Sequence, residues 1–310
     1  ISIGSAAGSL ASNAAYIAGN QGNDYITYTA AAVTSTLNGA FIGGGLNDDT
    51  ISLSNISSYI NTSVKGGDNA DSIVVGASGS VINTLFEGNK GADVIRYGAT
   101  ASNAGSVGGG AGLDTITIGT GALAAVAWVN GGAGLDSIVI DNASTFSTLA
   151  GGGLADTITF GGNFAGGKIY GDAVGTTTSG TGTGGTADGN DLIGSTATDI
   201  ATAASVWGAG GDDTIRFGTA AEATKLYGGD GADLVTLVGN NSGASLIGGN
   251  GADTLSIAAA SGAAWLQGDA GQDSIKIVGA TAAGLTIAGG AGLDTIVFTN
   301  SETAATNVDG

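Results

Sequence analysis

A turn-and-strand unit recurs from one end of this 310-residue chain to the other, and nothing else in the sequence restricts the fold as severely. Gly289 to Phe298, GGAGLDTIVF, shows it clearly: a glycine-rich turn ends in Asp294, and a short strand follows in which Ile296 and Phe298 point the same way. The recurring aspartates are Asp24, Asp49, Asp71, Asp93, Asp114, Asp136, Asp156, Asp191, Asp213, Asp233, Asp253, Asp273 and Asp294. Their spacing is 20 to 25 residues, except for one gap of 35 before Asp191. A period this regular predicts a solenoid, in which one coil cannot bury its own apolar face and stacking makes the core continuous.

With the turn numbered 1 to 6 and its aspartate at 6, position 8 is aliphatic in all thirteen repeats, from Ile26 to Ile296. Position 10 is apolar in twelve, and Ser195 is the exception. Alternation at i, i+2 with Ile, Val and Phe is the period of a strand. A second strand leads into each turn, with one apolar residue two places before position 1 (Ile17, Ile42, Val64 and so on to Ile287) and usually a small one two places earlier. The expected fold is all-β: a parallel β-solenoid, β-roll-like, of about 13 coils, 20–25 residues per coil, with one GGxGxD-type turn per coil. The far corner of each coil, rich in Ala, Gly, Ser, Thr and Asn, is expected to be a small neutral turn. The late arrival of Asp191 reads as a Gly/Thr-rich loop inserted at about 173–188 of a single solenoid running 1–310.

Glycine makes up 61 residues, but proline is absent and apolar residues reach 42%, so the glycines mark turns rather than disorder. The net charge of −19, with seven scattered Lys and Arg, argues against nucleic acid and anionic membranes. Residues 115–135 carry no charge, but they contain a complete repeat turn and are not expected to insert in a membrane. No cysteine or histidine is present, which removes disulfides and thiolate or imidazole metal sites and leaves oxygen ligands.

Glycines at positions 1, 2 and 4 are expected to allow positive φ and to turn carbonyls toward a groove, where the aspartate adds an anionic oxygen. Stacked turns would then offer carbonyl and carboxylate oxygen from two coils, which suits Ca2+ better than Mg2+. Carboxylates one strand spacing apart repel by about 3.5 kcal/mol at an effective dielectric near 20, so the column calls for neutralising cations. Twelve gaps between thirteen turns set a ceiling of about 12 calcium ions along one edge. The thirteen aspartates are the candidate ligands. Asn47, Asn69 and Leu154 at position 4 and Ala209 at position 2 depart from the glycine pattern.

The segments GGAGLDTIV, GGDGADLVT, GGNGADTLS and GGAGLDSIV resemble the calcium-binding nonapeptide repeats of the RTX (haemolysin-type) family. The resemblance covers essentially the whole chain. It implies a right-handed parallel β-roll, calcium between successive turns, folding triggered by extracellular calcium, and export by type I secretion. Family repeats usually run in tandem with calcium on both edges. One motif per coil here implies a single row.

Catalysis is not expected, since histidine and cysteine are absent and Arg96 and Arg216, the only arginines, stand far apart. An ice-binding face is disfavoured because Val94, Leu192 and Leu234 interrupt the threonine rank at position 7. Tyr16, Phe41, Trp128 and Trp265, with Tyr170, Trp207 and Tyr227 nearby, fall at outward positions of the second strand, where they suit contacts with other subunits or lie under loops. The chain starts without methionine and stops as a further turn opens, which suggests a segment of something longer. The expected role is a secreted structural protein of a bacterial surface layer (S-layer) or extracellular filament, self-associating into a lattice or fibre, with a cell-surface polysaccharide as a further candidate partner. The alternatives are the stalk or ligand-binding region of an RTX adhesin, or the non-catalytic RTX segment of a secreted enzyme or toxin.

Overall fold

The structure is a computed structural model, and it describes residues 2–3, 15–28, 36–54, 56–76, 80–98, 105–119, 124–141, 145–172, 188–195, 200–221, 223–241, 243–260, 264–279, 284–299 and 306–309. Of the loop expected at about 173–188, residues 173–187 lie outside the described residues. The chain divides into two compact units, Ile1–Leu149 and Ala150–Gly310. Its strands are parallel and stack as a β-solenoid, and no helix occurs among the described residues.

In the first unit the trailing strands, those that follow each turn, pair in register from Tyr25–Tyr28 through Thr50–Leu53, Ser72–Val75, Val94–Tyr97 and Thr115–Ile118 to Ser137–Ile140. Position 8 meets position 8 at every step: Ile26 pairs with Ile51, Ile73 with Ile95, and Ile116 with Ile138. These isoleucines are fully buried, as are Ile42, Val64, Phe86 and Val107 of the leading strands. Alternation therefore does what the sequence predicts. Each coil contributes at least one apolar side chain per strand, and stacking hides it between equivalent neighbours.

The second unit repeats the arrangement, with leading strands such as Lys168–Asp172, Ser205–Gly210 and Lys225–Asp230 and trailing strands from Thr157–Phe160 to Thr295–Phe298. The break at Ser195 has a local cause. Gly194 takes φ +88, and a Cβ on it would meet the Phe217 ring at 2.5 Å. Phe160, Phe164 and Phe217 close around this point, with ring centroids 4.6 to 6.1 Å apart. Three aromatic rings fill the room that the missing side chain leaves.

The far corner is more than a small neutral turn. In the first unit Thr36–Asn38, Ser58–Ile60 and Val81–Ile82 form a third parallel row that buries Leu37, Tyr59 and Val81. The Tyr59 hydroxyl donates to the carbonyls of Leu53 at 2.7 Å and Gly76 at 3.2 Å. In the second unit Phe164 and Ile200 pair in the same way. These strands are two or three residues long, too short for a periodicity to be read in the sequence.

Candidate metal-binding edge

The turns form because their backbone is one that only small or amide side chains accept readily. Outside the interrupted turn between Gly171 and Asp191, positions 2 and 4 carry positive φ, from +72 at Leu154 to +159 at Gly271. The departures from glycine keep this geometry: Asn47, Asn69, Leu154 and Ala209 have φ of 77, 83, 72 and 94, and so do the further position-2 substitutions Asn20, Asn89 and Asp269. Asparagine tolerates the left-handed region better than other non-glycine residues, whereas Leu154 and Ala209 are strained there. Position 1 corrects the sequence expectation, because its φ is not positive. Its glycine is required by close approach instead. A Cβ on Gly44 would lie 2.2 Å from Oδ2 of Asp49 and 2.6 Å from the carbonyl oxygen of Gly66.

The aspartates stand in register at the start of each trailing strand, and each joins two coils. In the first unit the N–H groups of Asp24, Asp49, Asp71, Asp93 and Asp114 donate to Oδ1 of the next repeat's aspartate at 2.7 to 2.8 Å. In the second unit the chain of bonds runs from Asp156 through Asp191, Asp213, Asp233, Asp253 and Asp273 to Asp294, at 2.6 to 3.0 Å. The backbone carbonyl of Asp71 in turn accepts from Val94, and that of Asp213 from Leu234.

The carboxylates do not face an open groove. From Asp49 to Asp136 and from Asp156 to Asp273 they are buried, and only Asp24 and Asp294 are half exposed. Oδ2 of the ladder residues Asp24, Asp49, Asp71, Asp93, Asp114, Asp191, Asp213, Asp233, Asp253 and Asp273 is buried with no hydrogen-bond partner. Burial therefore raises the carboxyl pKa, to about 6 at Asp93, Asp136 and Asp253, about 7 at Asp71 and Asp233, about 8 at Asp191 and about 9 at Asp213. The hydrogen bond from the neighbouring N–H pulls each value back down, and nearby carboxylates add to the rise.

One functional carboxylate escaped the sequence reading. Asp172 takes position 2 of the interrupted turn and is buried, with Oδ1 accepting from Gly189 N–H and Oδ2 from Gly210 N–H, both at 3.1 Å. It ties residue 189, beyond the inserted segment, to the next coil. Burial pushes its carboxyl to about 6 despite both bonds, and its charge contributes to the high values at Asp191 and Asp213. The available signal was an acid where other turns carry glycine, a substitution shared by Asp269.

The donor chemistry of this edge fits a hard divalent cation: anionic oxygens without a balancing proton donor, set among main-chain carbonyls. Among the described residues no three acidic side chains converge on one point. Each coil supplies a single ladder aspartate, so an ion here would take most of its ligands from turn carbonyls. No protein-family model, curated protein or solved structure matches the chain.

Proposed function

We infer that this chain is a cation-stabilised structural solenoid of the extracellular or bacterial-surface kind, with Ca2+ as the ion and the ladder aspartates as its anionic ligands. One observation carries the reading: the column of buried Oδ2 atoms that have no partner. A buried carboxylate left so costs several kcal/mol unless a proton or a cation neutralises it. Near pH 8 the carboxyls at Asp93, Asp136 and Asp253, with pKa about 6, would be charged, and a proton is not available to them. Oxygen-only donors and flexible carbonyl geometry favour calcium over magnesium. The likeness of the GGxGxD turns to RTX repeats supports the same ion, and with it a secreted location.

What supports a scaffold role is what the chain carries: repeated coils that bury stacked aliphatic ranks within each unit, no histidine or cysteine, and exposed apolar side chains suited to lateral contact. Tyr16 is 76% exposed and Trp265 49%. Exposed aromatic side chains of this kind, in each unit, favour self-association into a layer or fibre. The test is circular dichroism of chelated protein as calcium is added stepwise. Strand signal and melting temperature should rise with calcium and respond far less to magnesium. Full strand content and an unchanged melt in excess EDTA would overturn the reading.

A further inference from the structure

Basic residues are few, yet two of the seven stand on one face of the second unit beside a stack of rings. Lys168 and Tyr170 point outward from the same strand, while Ile169 between them is fully buried. Strand pairing sets Ser205 and Trp207 next to them, and Lys225 and Tyr227 next again. The rings of Tyr170 and Trp207 lie parallel within 6° at 4.7 Å, and those of Trp207 and Tyr227 within 5° at 5.5 Å.

Stacked this way, the rings cover one another's faces and turn their edges to solvent. A ring's edge is the positive side of its quadrupole. The two phenol hydroxyls and the indole N–H add hydrogen-bond donors along the same line. Both lysines are exposed, and among the described residues the ion pairs, Lys65–Glu87 and Lys90–Asp68, lie in the first unit. On a chain of net charge −19 and only seven basic residues, this strip brings two exposed cationic side chains together.

We propose that the strip binds an acidic polysaccharide running along the stack of coils. Lys168 and Lys225 stand two strand steps apart, about 10 Å, with the uncharged Ser205 between them. One strand step is close to the length of a sugar ring, so the pattern suits carboxylates on alternate sugars. The strip is six residues in two rows, against the roughly 20 to 30 residues a side of a stable globular contact. A chain-like ligand fits it better than a second folded protein. The proposal goes beyond the scaffold role and needs only that the coils of the second unit be stacked, whichever cation or proton holds them.

The test uses the full chain in calcium-containing buffer, with its fold checked by circular dichroism, and isothermal titration with hyaluronate oligosaccharides, which carry a carboxylate on alternate sugars. Binding should weaken as sodium chloride rises and be absent with neutral dextran. Lys168→Gln with Lys225→Gln should weaken it roughly tenfold, as expected for two exposed ion pairs. Lys276→Gln, on a trailing strand, should leave it unchanged. No binding of hyaluronate, equal binding of dextran, or an affinity untouched by the double variant would each overturn the proposal. So would a double variant that alters only sedimentation, since the strip would then be a contact between copies. The calcium reading is decided separately by the EDTA titration, so the two can fail independently.

Discussion

The main-chain N–H of Asp71 donates to Oδ1 of Asp93 at 2.7 Å, and Oδ2 of Asp93 is left buried without a partner. That Oδ2 and the carbonyl oxygen of Gly109 lie 2.2 and 2.5 Å from the point a Cβ on Gly88 would occupy. Asp93→Asn keeps an acceptor for Asp71 and places an N–H2 donor where the orphan oxygen sits. It should stabilise the chelated protein by about 1 kcal/mol, a rise of a few degrees in melting temperature, and destabilise the calcium-loaded one. Thermal melts of both proteins with EDTA and with calcium give the comparison. The same rank order in both buffers would count against an ion at this position.

Stability of the chelated protein should fall as pH rises. Seven ladder carboxyls, at Asp71, Asp93, Asp136, Asp191, Asp213, Asp233 and Asp253, have folded pKa values raised from 3.8 to between about 6 and about 9. Folding therefore takes up protons, and its benefit is complete below about pH 4 and lost as pH climbs through 6 to 9. With calcium the trend should reverse, because the ion competes with those protons. Urea midpoints at several pH values, with EDTA and with calcium, would show it. A midpoint in EDTA that rises with pH would contradict the buried, orphaned state of these groups.

Asp172 should behave in the opposite way from Asp93. Both its oxygens accept backbone N–H groups, from Gly189 and Gly210. Asp172→Asn sets an amide donor against one of them, so it should destabilise by roughly 2 kcal/mol with or without calcium. Chemical denaturation in both buffers separates this outcome from that of Asp93→Asn. A neutral or stabilising effect in EDTA would show that the carboxylate is not a clamp.

Position 2 offers a pair of opposite substitutions. A Cβ on Gly249, at φ +121, would lie 2.0 Å from the carbonyl oxygen of Gly229, so Gly249→Ala should cost about 3 kcal/mol or more. Ala209 already bears a Cβ at φ 94, and Ala209→Gly should stabilise by about 1 kcal/mol through relief of that conformation. Melting temperatures of the two variants should move in opposite directions.

Much of this molecule was legible beforehand. The ranks from Ile26 to Ile275 and from Ile42 to Ile287 alternate at period two, and a repeat of about one coil leaves a single way to hide them, against their own copies. The turn aspartates were legible as a column for the same reason. The short third row around Leu37, Tyr59 and Val81 was not, because two or three residues carry no readable period. Nor was the clamp at Asp172, whose partners lie 17 and 38 residues away.

By itself, then, the sequence determined the repeat, the strand pattern, the place of each turn and the acid at its end, because these depend on local alternation and on glycine's backbone freedom. Only the tertiary structure decided how deeply the carboxylates lie, which oxygen of each is occupied, and that three rings from coils as much as 57 residues apart share one strip with two lysines. Burial and stacking are set by what the neighbouring coil places alongside, and a single strand carries no record of that.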